Sequence, residues 1–193
     1  MAKLYFRHGT VSSAKTLNLL AAAHNYRQRG KKILLLKPAV DTRFGLGVIK
    51  TRAGLELTAD IVVAPDVPLS FTEEQLGAVC VLVDEAQFLP VSAIDYLHSA
   101  VVINRGIPVI CYGLRTDFRT VLFPAAKRLL ELADSIEEIK TICHFCLRKA
   151  IFNLKLLDGK ATLAGPSVEL GCEEKYLPVC AACYAEQHRT TDH

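Results

Sequence analysis

Apolar residues along this chain follow two alternating rhythms. Short, wholly apolar runs have the length of strands: Leu4-Tyr5-Phe6, Lys32 to Leu36 (apolar after its first residue), Ile61-Val62-Val63, Val79 to Val83 and Ile107 to Tyr112. Between them, apolar residues recur at helical spacing. Leu17, Leu19, Leu20 and Ala23 mark a helix running to about Arg29 and stopped at Gly30. Val91, Ile94, Leu97, Val101 and Val102 mark another from Pro90 to Asn104, broken by Gly106. Ala125 to Ala133 reads as a third, Phe71 to Leu76 as a short one, and Ile136 to Ile142 as a further strand. Val48 to Asp60 carries no clear period. Strands apolar on both faces belong to parallel sheets covered by helices on each side. The pattern therefore predicts an α/β domain over residues 1–142.

Past Ile142 the pattern changes. Residues 150–179 read as short strands with a hairpin signal at Asp158-Gly159. They lie between two Cys-x2-Cys turns, Cys143/Cys146 and Cys180/Cys183. Four thiolates in two such turns suit tetrahedral zinc, and with all four positions filled the metal is structural. The 33 residues between Cys146 and Cys180 exceed the usual spacing of about 15 to 20 but leave room for hairpins. A thioredoxin-like redox pair is the rival, and it needs one motif in a βαβ setting. His144, between two ligands, is a competing ligand at poorer spacing. Cys80 and Cys111, in apolar strands, read as buried thiols. A small zinc unit over residues 143–193 is expected.

Composition narrows the class. The chain has 193 residues, 51% of them hydrophobic, and a net charge of +3, which suits a folded protein with one main core. No basic cluster marks a nucleic-acid surface: Arg148, Lys149, Lys155 and Lys160 are offset by Asp158, Glu169, Glu173 and Glu174. No apolar run reaches membrane length, and Met1-Ala2-Lys3 leads straight into a strand. A cytoplasmic protein with reduced cysteines is expected.

The candidate chemistry sits at strand ends. After the first strand, Gly9-Thr10-Val11-Ser12-Ser13-Ala14-Lys15-Thr16 opens a helix in the manner of a phosphate-binding loop. Backbone N–H groups at a helix start cradle a polyphosphate, Lys15 reaches its outer phosphates, and the Thr16 hydroxyl sits on Mg²⁺. Ala14 stands where the pattern has glycine, which tolerates positive φ and close phosphate approach better. The strand Val79–Val83 ends in Asp84-Glu85, one carboxylate suited to the metal's water shell and one to general-base work. Asp41 and Arg43 follow another strand end, where open α/β sheets bind ligands. Leu114, Phe118 and Phe123 are apolar residues in and just past a further strand-end loop, able to wall a flat base.

Taken in order, these pieces resemble the thymidine kinases of the type II, zinc-containing family. The carrying residues are Gly9 to Thr16, Asp41-Thr42-Arg43-Phe44, Val83 to Phe88, Tyr112 to Phe118, both Cys-x2-Cys turns and Glu174-Lys175-Tyr176. The resemblance runs nearly end to end. It implies a RecA-like core, and transfer of the γ-phosphate of ATP, with Mg²⁺, to the 5′-hydroxyl of thymidine or deoxyuridine. It implies Glu85 as the base and Asp84 on the metal side. Arg43 and Gln87 join the loop on the phosphates, and Asp41, Phe88, Leu114, Phe118, Phe123 and Tyr176 are grouped with the nucleoside. A lasso-like segment between the Cys turns closes over the substrate. A homotetramer and feedback inhibition by dTTP are further implications. The sequence departs from the family at Ala14, at the basic Arg7-His8 before the loop, at Glu169, and at Leu170-Gly171-Cys172, where a second glycine is common. A silent nucleotide-binding regulator and a zinc-ribbon adaptor stand as alternatives.

Overall fold

The structure, a computed structural model, describes residues 1–167 and 175–189. Six strands form one sheet: β1 (Leu4–His8), β2 (Ile33–Pro38), β5 (Ile61–Val63), β6 (Cys80–Val83), β7 (Val109–Gly113) and β8 (Ser135–Glu138). Their order is β5-β2-β6-β7-β1-β8, and every neighbouring pair is parallel. The wholly apolar pattern of the inner strands is the cause, because β2 and β6 are buried along their whole length on two faces. On one face Leu34, Leu36, Val81 and Val83 pack with Ile94, Leu97 and Leu129. On the other, Ile33, Leu35, Cys80 and Leu82 pack with Leu19, Leu20 and Ala23 of α1 (Lys15–Gln28). The expected α/β sheet with helices on both faces is the observed one.

The expected helix over Pro90–Asn104 is α2 (Val91–Tyr96) continued by a π-helical stretch, Leu97–Asn104, that keeps Leu97, Val101 and Val102 buried. The third helix is α3 (Pro124–Leu132), with Pro124 in its first turn, where a missing N–H costs nothing. Phe71 to Leu76 is not the short helix expected. It gives one 3₁₀ turn, Gln75–Gly77. Thr72 and Gln75 cap each other there, Gln75 N–H donating to Thr72 Oγ1 (3.2 Å) and Thr72 N–H to Gln75 Oε1 (2.8 Å). The chain then turns extended at buried Ala78 to enter β6. The strand expected to reach Ile142 ends at Glu138, because its partner β1 ends at His8 opposite it. The unassigned Val48–Asp60 stretch holds an antiparallel hairpin of β3 (Val48–Lys50) and β4 (Glu56–Thr58).

Beyond the main sheet, β9 (Phe152–Leu157), β10 (Lys160–Ala161) and β11 (Tyr176–Val179) form an antiparallel sheet in the order β10-β9-β11. The turn between β9 and β10 is the expected Asp158-Gly159, both at positive φ (50° and 78°), as a tight hairpin requires. An unforeseen helix, α4 (Ala181–Arg189), carries the last cysteine. No helix among the described residues is long and apolar enough to cross a membrane.

Candidate active site

The loop between β1 and α1 is set by three backbone positions. Gly9 admits no side chain, since a Cβ there would meet Ser13 Oγ at 2.3 Å and the Ile139 carbonyl oxygen at 2.5 Å. Ser12 and Ala14 both take left-handed conformations, with φ of 59° and 63°. Ala14 thus adopts the conformation that glycine would supply, at a steric cost of about 1 to 2 kcal/mol. Lys15 begins α1, is 8% exposed, and folds back to donate to the Thr10 carbonyl at 2.6 Å. Burial lowers its pKa against the opposing pull of Glu85 and Asp84.

The strand β6 delivers the carboxylates. Asp84 is 4% exposed, and the Thr16 hydroxyl approaches its two oxygens at 3.3 and 3.4 Å. Burial, with the neighbouring Glu85 charge, pushes Asp84 up to about 7. Glu85, two residues past the end of β6, sits at a left-handed φ of 47°. Burial pushes the Glu85 carboxyl up as well, but Arg43, Lys15 and the Gln87 amide outweigh it and hold it below the ordinary range. Arg43 is shared: it donates to Glu85 Oε1 at 2.6 Å and to Asp41 at 2.6 and 3.2 Å. Lys37, 1% exposed, pairs at 3.3 Å with Asp41 Oδ2, the oxygen that also accepts from Arg43 at 3.2 Å. Gln87 donates to Glu85 Oε2 at 2.5 Å and accepts from the Leu114 N–H at 2.9 Å. That backbone donor fixes the amide's orientation, so its NH₂ faces the carboxylate.

Some of these groups border a cavity of about 350 Å³. Val11 to Thr16, Arg43 and Glu85 line it together with Phe88, Leu114, Phe118, Phe123 and Tyr176. Phe88 and Phe123 meet edge to face at 5.6 Å, and Phe118 lies 6.2 Å from Tyr176. Of the residues singled out from sequence, Gly9, Thr10, Asp41, Asp84 and Gln87 do not line it, and stand behind those that do. Asp41 is buried beneath Arg43, with no face on the cavity. Asn153, Asp117, Lys50, Thr51 and Arg52 line the cavity and were not anticipated. Asp117 had a signal, since it lies in the loop already marked by Leu114 and Phe118. Asn153 had none, being a polar position in a short strand of the other sheet. The expectations on Glu169, Leu170-Gly171-Cys172 and Glu174 lie outside the described residues.

The sulfurs of Cys143, Cys146, Cys180 and Cys183 all lie within 4.8 Å of one another. Cys146 is 3.7 Å from Cys180 and 3.8 Å from Cys183. At a Zn–S bond of about 2.3 Å, a tetrahedron sets its sulfurs about 3.8 Å apart, so the donor set fits zinc. Backbone N–H groups of Cys180, Phe145 and Cys146 overcome the effect of burial and hold the Cys143 thiol down at about 6, favouring the thiolate. Among the described residues this cluster is of cysteines alone. The His144 ring lies instead against Phe145, 5.0 Å away.

A parallel sheet, a phosphate loop heading its first helix, paired carboxylates at a neighbouring strand end and a four-cysteine unit define a phosphate-loop protein with the build of a phosphotransferase. The family model described as thymidine kinase matches residues 2–184, and the chain belongs to the thymidine kinase family. It is similar to the thymidine kinase of Lactococcus lactis subsp. lactis (strain IL1403), 43% identical over 188 residues that span 95% of this chain and 97% of that one. The thymidine kinase of Streptococcus gordonii is 41% identical over 186 residues, spanning 95% and 96% of the two chains. That of Streptococcus pyogenes serotype M3 is 40% identical over 186 residues, spanning 95% and 97%.

Proposed function

We propose that this kinase transfers the γ-phosphate of ATP to the 5′-hydroxyl of thymidine or deoxyuridine, giving the 5′-monophosphate for pyrimidine deoxynucleotide salvage. One observation carries the reading. A single cavity is bordered by an anion-binding loop, by an ionised carboxylate and by aromatic walls. The shared name of the relatives supplies the nucleoside.

In this reading the loop N–H groups, the start of α1 and Lys15 hold the phosphates, with Arg43 beside them. Thr16 Oγ1 and Asp84, hard oxygen donors facing each other at 3.3 and 3.4 Å, would hold Mg²⁺, which when bound neutralises phosphate charge. Glu85 accepts the proton of the 5′-hydroxyl as that oxygen attacks the γ-phosphorus and ADP leaves. Its ionised form is the one a base needs, and Gln87 fixes its second oxygen. Phe88, Leu114, Phe118 and Phe123 wall the thymine, and Tyr176 faces the sugar. The segment between the Cys turns closes over the nucleoside and keeps out water, a competing phosphate acceptor. The four cysteines would hold structural zinc in a unit over residues 143–193, set on a nucleotide-binding domain over 1–142. The proposal extends to a cytoplasmic homotetramer under feedback inhibition by dTTP. The silent-binder alternative is not favoured, since Ala14 takes the left-handed conformation.

The test is ADP release by the purified protein with MgATP, with thymidine against deoxycytidine and deoxyguanosine. Release dependent on thymidine is the expected result. ATP binding without release under any nucleoside would overturn the proposal.

A further inference from the structure

Two regions far apart in sequence meet at one buried side chain. Asn153 sits in β9, beside β11, the strand that ends just before Cys180, and is 5% exposed. Its Oδ1 accepts from the backbone N–H of Val11, in the phosphate loop, at 2.9 Å. Its Nδ2 faces the carbonyl of Thr116, in the loop after β7, at 3.4 Å. The two partners leave the amide one orientation: a donor at Val11 demands the oxygen, and the carbonyl at Thr116 demands the nitrogen. Val11 immediately precedes Ser12, whose left-handed φ of 59° is one of the two strained points of the loop. A loop held in such a conformation persists only where its surroundings fix it.

The support of Asn153 leads back to the cysteines. Asn153 pairs with Pro178 across the β9–β11 ladder, and Val179 follows before Cys180. The N–H of Ile151 donates to the Val179 carbonyl at 2.9 Å. Leu154 and Val179, both fully buried, pack with Cys143 and Cys180. On the other side, Tyr184 of α4 donates to the Phe118 carbonyl at 2.5 Å, holding the loop that contains Thr116.

We propose that Asn153 is a positioning residue through which the four-cysteine unit sets the phosphate loop, so that this unit governs ATP binding as well as closure over the nucleoside. The inference rests on the nucleotide site of the proposed function and adds to it a residue and a route. The amide holds the Val11 N–H away from other partners and fixes the crest of the loop before phosphate arrives. Loss of the amide frees the crest, and binding must then order it. Asn153 itself performs no chemical step.

The experiment measures MgATP and thymidine dissociation constants by calorimetry, together with bound zinc, for the wild type, Asn153→Ala and Asn153→Asp. For Asn153→Ala the MgATP constant should rise about five- to tenfold, the reach of one buried hydrogen bond, with zinc and the thymidine constant unchanged. Asn153→Asp keeps an acceptor for Val11 but sets a carboxylate against the Thr116 carbonyl and near the phosphates, so it should weaken MgATP at least as much. Unchanged MgATP binding in Asn153→Ala overturns the proposal. So does a parallel loss of zinc, thymidine and MgATP binding, which marks a merely structural residue. If Asn153→Ala does not fold, the isosteric Asn153→Asp decides by the same readings. A wild type that binds MgATP but turns over no nucleoside would sink the proposed function and leave this comparison intact.

Discussion

The cavity is walled by two regions that are held in opposite ways. On the phosphate side, backbone strain and buried charge fix the geometry: Ser12, Ala14 and Glu85 all sit at positive φ, and a chain of ion pairs runs Lys37–Asp41–Arg43–Glu85. A large parallel sheet stands beneath them. On the cysteine side the core is small, with Leu154, Ala161 and Val179 buried beside Cys143 and Cys180. Small units of this kind lack the apolar area to hold themselves, and a metal takes that role. Strained or charged groups need a rigid base to hold them, and the sheet supplies it. The short strands of the cysteine unit cannot, and a metal held by its four thiols would supply that order instead.

The sharpest way to break this comparison is to strip the four cysteines of the metal they could hold. Structural zinc contributes on the order of 10 kcal/mol to folding in small units. Chelation, or Cys143→Ser, should therefore disorder the residues around β9, β11 and α4 while the six-stranded sheet persists. Hydrogen exchange resolved by segment checks this. Loss of protection throughout β1, β2, β6 and β7 would mean that the two regions do not differ as argued.

The next largest effect falls on the carboxylate. Glu85→Gln keeps the shape and the bond to Arg43 but removes the proton acceptor. Turnover should fall about 10²- to 10⁴-fold, the usual share of general-base catalysis, with MgATP affinity within about threefold. A variant that keeps most of its turnover would remove Glu85 from the reaction.

The charged side of the comparison has its own test. Asp41 lies between Lys37 and Arg43, and burial raises its carboxyl less than these two cations lower it. Its folded pKa is therefore below the unfolded value, near 3.9. Its stabilising contribution is present above that value and is lost as pH falls through the folded pKa. Asp41→Asn leaves Lys37 buried against a neutral amide, and should cost about 3 kcal/mol at pH 7. Denaturant unfolding of both proteins at descending pH should show the gap constant near neutrality and closing in acid. A gap that widens in acid would mean that the carboxylate is not the stabilising form.

How much of this was legible follows the same division. The inner strands β2, β6 and β7 could be read because they are apolar on both faces, as in Ile33 to Leu36, whereas the edge strand β8, Ser-Ile-Glu-Glu, carries no such pattern and its bounds were read less well. The loop, Asp84-Glu85 and the cysteine pairs could be read because each is a local spacing with a chemical meaning. Asn153 could not, since its bond to Val11 joins residues 142 apart and no local pattern encodes it. Asp41 was placed on the cavity by its strand-end position, yet its carboxylate is turned inward by Lys37. The Val48–Thr58 hairpin was hidden because short, half-exposed strands carry no strong period. The helix α4 was masked by Cys180 and Cys183, whose spacing reads as a turn even where, as at Cys183, it forms part of a helix.

The smallest effect concerns Ala14. Its sequence position suggests a crippled loop, while its φ of 63° and ψ of 27° say that alanine bears the strain and the loop keeps its shape. Ala14→Gly removes the clash between Cβ and the backbone, worth about 1 to 2 kcal/mol in a left-handed residue. It also gives the unfolded chain more freedom, which returns about 0.4 to 1 kcal/mol of that gain. The net stabilisation should therefore lie between about 0 and 1.6 kcal/mol, visible as a rise of a few degrees at most in the unfolding midpoint. Turnover should stay within about twofold, because the N–H groups point the same way in both proteins. If Ala14→Gly instead raised turnover tenfold or more, the alanine would be limiting phosphate approach, and the conformation of the loop would not be the whole of its function. If it lowered stability, the left-handed strain at Ala14 would be offset by contacts of its methyl group, and the loop would owe less to the sheet beneath it.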